Sequence, residues 1–145
     1  MKGYFIRPSR ITPSVYFNPK NQLLDVRGKS SPENALAFYN VLLQNIDSYV
    51  QLDVSKLTVN MAFEYFNTSS SKCLFMILRK LESIEQLGKK VVVNWYYESE
   101  DEDMKEAGED FSSFFEYEFN FKEVPVINTL GGITDKDGGK DGKAA

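Results

Sequence analysis

A chain of 145 residues, 42% hydrophobic and 14% aromatic, is sized for one domain around a single sizeable core. Its net charge of −4 and lack of a basic run disfavour nucleic acid as a partner, and the absence of histidine removes Ser-His-Asp triads, Cys-His pairs and histidine-containing zinc sites. The single cysteine, Cys73, allows no internal disulfide; with no signal peptide at Met1-Lys2-Gly3-Tyr4 and no apolar run long enough to span a bilayer, the expected location is the cytoplasm, without membrane insertion.

In chain order, residues 4–6 and 15–17 read as short strands broken by Pro8 and Pro13. Residues 23–26 read as a third that ends at Gly28, joined to the second by a hairpin through Asn18-Pro19-Lys20-Asn21. Two overlapping signals then start a helix: Ser30 with Glu33 as a capping box, or Ser31 as N-cap before Pro32. Apolar residues recur at three- and four-residue spacing over 35–49, as one buried helix face requires. Residues 57–66 alternate like a half-buried strand, and helical spacing resumes from Leu74 to Ile84, with Gly88 as the C-terminal stop. Val91-Val92-Val93 with Trp95 and Tyr97 is the most strand-like run, and its continuous apolar start predicts a central strand covered on both faces. Residues 101–115 predict a helix with acidic residues at its N-terminus, followed by a strand carrying Tyr117, Phe119 and Phe121. Residues 1–128 are therefore expected to form the domain, and the Gly-, Asp- and Lys-rich residues 129–145 a flexible tail.

Strands alternating with helices imply an α/β fold, a mixed β-sheet with packed helices, in which the strands ending near Gly28, Phe66 and Tyr97 run parallel. In such a sheet the loops after the strand ends share one rim, so residues 30–34, 67–72 and 98–103 are expected to meet there.

One stretch at that rim stands out chemically. Asn67-Thr68-Ser69-Ser70-Ser71-Lys72 carries four consecutive hydroxyls where a strand gives way to a helix. Unpaired N–H groups and the positive end of the helix dipole favour an anion there, so a phosphorylated Thr or Ser would be stabilised. The plainer reading is that Asn67, Thr68 or Ser69 caps the helix, although a cap needs only one such residue.

The combination Gly28-Lys29-Ser30-Ser31-Pro32-Glu33-Asn34, Tyr65-Phe66-Asn67-Thr68-Ser69-Ser70-Ser71-Lys72, Trp95-Tyr96-Tyr97-Glu98 with Asp101-Glu102-Asp103, and Gly108-Glu109-Asp110-Phe111 resembles the SiaC family of bacterial regulatory phosphoproteins. The resemblance spans nearly everything before the tail, and the four motifs occur in the family's order. It implies a SpoIIAA-like, STAS-like single domain without catalytic activity, cofactor or metal. It also implies Thr68 as the acceptor for a SpoIIAB-like protein kinase, a PPM-type phosphatase that reverses the modification, and an unmodified form that binds and activates a diguanylate cyclase, with c-di-GMP and biofilm formation as the output. A partner switch with another output, such as antagonism of an anti-sigma factor, is the alternative. Asn67, Ser69, Ser70, Ser71 and Lys72 surround the acceptor, and the rim residues Ser30, Glu33, Asn34, Tyr96, Glu98, Asp101, Glu102 and Asp103 are the candidate partner contacts.

Eight carboxylates between Glu98 and Asp110, opposed only by Lys105, read either as a partner contact or as a solvated helix face. An EF-hand starting at Asp101 fails, because Lys105 stands where an oxygen ligand is needed and Glu106 where the loop needs glycine. Trp95 and Tyr97 share one strand face and are expected in the core, whereas Tyr96 is the candidate surface aromatic. Cys73, near a helix start, reads as a reactive thiol or as a small core residue, the latter favoured. Ser69 and Lys72 match the Ser-x-x-Lys spacing of penicillin-recognising enzymes, but the accompanying Ser-Asp-Asn and Lys-Thr-Gly elements are missing.

Overall fold

A computed structural model describes residues 1–127 and, as backbone only, the short strands Asp135–Lys136 and Gly139–Asp141. The elements are β1 (Tyr4–Ile6), β2 (Ser14–Asn18), β3 (Leu23–Ser30), α1 (Ala35–Val50), β4 (Lys56–Phe66), α2 (Thr68–Gln86), β5 (Lys90–Glu98), α3 (Glu102–Ser112) and β6 (Glu118–Val124). Six strands form one mixed sheet in the order β1-β2-β3-β4-β5-β6; β1 pairs antiparallel with β2 and β2 with β3, and β3 through β6 are parallel. The expected tail lies outside the described residues, apart from the backbone of the two short strands.

Each crossover from β3 onward moves one strand in the same direction, and the right-handed rule then stacks all three helices on one face of the sheet. Burial follows that asymmetry. Val91, Val93 and Trp95 are buried beneath the helices, whereas Val92, Asn94 and Tyr96 on the other face are only half-buried. The expectation of a strand covered on both faces is thus overturned: the run of valines reflects β-propensity, with one face left open. The open face is organised by polar side chains. Asp25, itself buried, takes two hydrogen bonds from Arg27 at 2.7 and 2.8 Å and one from Asn60 Nδ2 at 3.2 Å. Asn94 then donates to Asn60, and Asn120 to Asn94, so facing residues of β3, β4, β5 and β6 are linked side by side.

Two expected boundaries also move. β3 does not stop at Gly28 but continues to Ser30, with a bulge between Gly28 and Lys29. The helix after it starts neither at Ser30 nor at Ser31. Ser30 pairs with Phe66 in the sheet and the Ser31 N–H donates to the Ile11 carbonyl at 2.7 Å, so sheet and loop bonding absorb both residues. Asn34 caps α1 instead, its side chain accepting from the Ala37 N–H at 3.0 Å. At the end of α2, Gly88 takes φ +87° and its N–H returns to the Glu85 carbonyl, the left-handed stop expected of that glycine. Among the described residues no helix is long and apolar enough to cross a membrane.

Candidate functional site

The hydroxyl tract opens α2 at the rim of the sheet. β4 ends at Phe66, and the Asn67 N–H is fixed by the Ser30 carbonyl at 2.9 Å. Asn67 is the cap: its side-chain oxygen accepts from the Ser70 N–H at 2.9 Å and its carbonyl from the Ser71 N–H. Thr68 is therefore the first helical residue. It is exposed, and its hydroxyl has no hydrogen-bond partner among the described residues.

The four hydroxyls divide into different roles. Ser69 is exposed and leans on the Asn67 side chain at 3.3 Å. Ser70 is fully buried, 2.8 Å from the Ser30 hydroxyl and donating to the Ser30 carbonyl. The Ser30 hydroxyl lies 2.7 Å from that of Tyr39, so three buried hydroxyls tie α2, β3 and α1 together. Burial pushes the Tyr39 phenol well above its ordinary range, against the smaller opposing effect of the Ser30 hydrogen bond, and keeps it neutral. Ser71 is half-buried and Lys72 exposed.

Beside the tract, α2 and α3 leave a groove of about 470 Å³ between them. Phe66, Phe75, Phe111 and Phe114 supply its apolar wall, with Ser71, Lys72 and Asp110 at its edge. Phe114 is 60% exposed and meets Phe75 edge-on at 5.3 Å. Sequence reading missed this groove. The only local signal was the adjacent pair Phe114 and Phe115, which cannot both point inward from one backbone direction. A second hollow, about 330 Å³, adjoins the first through Phe66 and Ala107 and is lined by Glu64, Tyr65, Asp101 and Asp103.

α3 is held against the sheet by Trp95. The indole N–H donates to the Met104 carbonyl at 2.9 Å, and Gly108 lies so close to the ring that an added Cβ would stand 2.5 Å from it. Asp101 caps this helix by accepting from the Met104 N–H, and Glu102 and Asp103 occupy its first turn. Cys73 is buried, and that burial raises its thiol pKa, which suits a core residue rather than a reactive one.

Two of the three expected rim segments meet directly through Ser30, Asn67 and Ser70, and the third joins through the hollow that Asp101 and Asp103 share with Phe66. The candidate contacts are not equally available. Ser30 is fully buried. Tyr96 lies on the open face beneath the Arg27 guanidinium at 5.7 Å, away from the helices. Glu98 holds the Ile127 N–H at 2.8 Å, and Asn34 and Asp101 serve as caps. Glu33, Glu102 and Asp103 are exposed.

A sequence model described as SiaC family regulatory phosphoprotein matches residues 6–124. The chain belongs to the SiaC family. SiaC of Pseudomonas aeruginosa has the same mixed α/β fold, with a TM-score of 0.80 at 24% identity over 86% of this chain and 100% of that one. A further structure holds the diguanylate cyclase SiaD of P. aeruginosa in complex with its activator SiaC; the matched chain is 25% identical, with a TM-score of 0.80 over 83% of this chain and 99% of that one. An uncharacterised protein of P. aeruginosa strain UCBPP-PA14 is 27% identical over 111 residues, 77% of this chain and 88% of that protein.

Proposed function

We propose that this SiaC-family protein is a non-catalytic, cytoplasmic switch set at Thr68. A SpoIIAB-like kinase phosphorylates Thr68, a PPM-type phosphatase removes the phosphate, and the unmodified form binds and activates a diguanylate cyclase. One observation carries the reading: an exposed, unbonded threonine hydroxyl opens a helix whose first turn holds no acidic residue.

Phosphorylation there adds a charge of roughly −1.5 to −2 and three acceptor oxygens. The N–H groups of the first turn and the helix dipole stabilise it, and Lys72, four residues on, lies on the same helix face. The same phosphate stands next to the groove walled by Phe66, Phe75, Phe111 and Phe114. A partner covering that wall would have to desolvate the phosphate, so one modification switches binding off without refolding the domain. Glu33, Asn34, Glu102 and Asp103 complete the proposed contact surface around it.

The test joins modification to output. Full-length protein, unmodified or phosphorylated by the kinase, is added to the cyclase and product formation is followed. The reading expects stimulation only by the unmodified form; equal stimulation by both contradicts it.

A further inference from the structure

β6 ends the sheet, and its outer edge is shaped to accept a copy of itself. The Val124 carbonyl accepts from the Ser99 N–H on the β5 side. Backbone groups alternate along a strand, so those of Phe119, Phe121 and Glu123 point outward, unpaired by any described residue. Edge strands are commonly protected by charge, and β6 carries Glu118, Lys122 and Glu123. The order of these charges gives them a different effect.

We propose that β6 pairs antiparallel with β6 of a second copy, in a register centred on Asn120. In that register Glu118 faces the second copy's Lys122 and Lys122 faces its Glu118. Phe119 and Phe121 face each other as the hydrogen-bonded pairs, which the outward direction of their backbone groups requires. The charged pairs and Asn120 with its counterpart fall at the non-hydrogen-bonded positions, where opposed side chains approach most closely. Phe121, 36% exposed and 5.4 Å from Phe119 between ring centres, loses its solvent contact. The line of Asp25, Asn60, Asn94 and Asn120 then runs on into the second copy. Centring the pair on Phe121 instead would set Phe119 against Glu123 with no opposite charges facing, and centring it on Phe119 would set Glu118 against Asn120 and leave Lys122 opposite Glu116, which precedes the strand.

The two-fold axis of such a pair is perpendicular to the sheet, so both helical layers lie on the same face of the continued sheet, with the two Thr68 rims at its opposite ends. The assembly is bivalent, which raises the avidity for a partner that is itself paired.

Charge exchange tests this on the full chain by analytical ultracentrifugation. The unaltered protein is expected to dimerise with increasing concentration. Glu118→Lys and Lys122→Glu each set like charges against each other twice, and each is expected to raise the dissociation constant about tenfold or more. Mixing the two variants restores opposite charges at both positions, and heterodimers are expected at the original affinity. Lys122→Glu is the cleaner single change, since Lys122 makes no ion pair or hydrogen bond among the described residues, whereas Glu118 is bound by Lys90 and Asn120. A monomer at every concentration leaves the edge to the C-terminal residues or to a different protein and overturns the proposal. So does a dimer indifferent to both charge changes, or a failure of the mixed variants to pair.

Discussion

Two helices begin at the same rim of this sheet, and their first turns are opposites. α3 is capped by the carboxylate of Asp101 and followed by Glu102 and Asp103, so its dipole is already answered by the chain's own acids. α2 is capped by the neutral Asn67 and followed by Thr68 and Ser69, with no acidic residue in the turn. A phosphate would be repelled at α3. At α2 it meets an unanswered dipole, free N–H groups and Lys72. A hydroxyl-rich helix start therefore becomes informative when a neighbouring helix shows how the same chain neutralises a helix end that it does not use.

The contrast can be broken most completely at Thr68. Thr68→Ala is expected to abolish phosphate incorporation while leaving the fold and partner binding intact, because the cap is Asn67; intact mass and thermal melting check both halves. Next is the anchoring of α3. Gly108→Ala forces a methyl group into the Trp95 indole and is expected to destabilise the protein by about 3 kcal/mol, at the upper end for overpacking, read from denaturant unfolding. The anchoring of α2 is polar instead. Ser70→Ala removes a buried hydroxyl from the Ser30 and Tyr39 cluster and should cost about 1–2 kcal/mol by the same measurement, since Ser30 retains Tyr39. The smallest effect converts α2 into a likeness of α3: Ser69→Asp supplies the missing carboxylate and is expected to raise stability by about 0.5 kcal/mol in the unmodified protein while reducing the stability gained on phosphorylation. If Ser69→Asp left that gain unchanged, the dipole would have no part in holding the phosphate.

The order of elements was legible because apolar spacing changes cleanly between strand and helix periods, and the β4 to α2 junction was legible because Asn67 follows an alternating run. Other features depend on contacts distant in sequence. Ser70 looks like its neighbours in the sequence, yet its partner Ser30 lies forty residues earlier and draws it into the interior. The start of α1 was misplaced because Ser30 and Ser31 carry real capping chemistry, which loses to sheet pairing with Phe66 and to the Ile11 carbonyl. The open face was hidden because a valine run reads the same whether one side or both are covered; only the uniform direction of the crossovers decides it. The groove arises where α2 meets α3, so Phe75 and Phe114 come together only in the folded chain.

The most direct test of the account is to phosphorylate the full chain with its kinase, map the phosphate, and titrate both forms against the cyclase under one set of conditions. A single phosphate on Thr68 and a fall in affinity of about 100-fold or more is the expected result. A phosphate on Thr68 that leaves the dissociation constant unchanged, or one placed on another residue, would contradict the switch and leave the tract as the N-terminus of a capped helix.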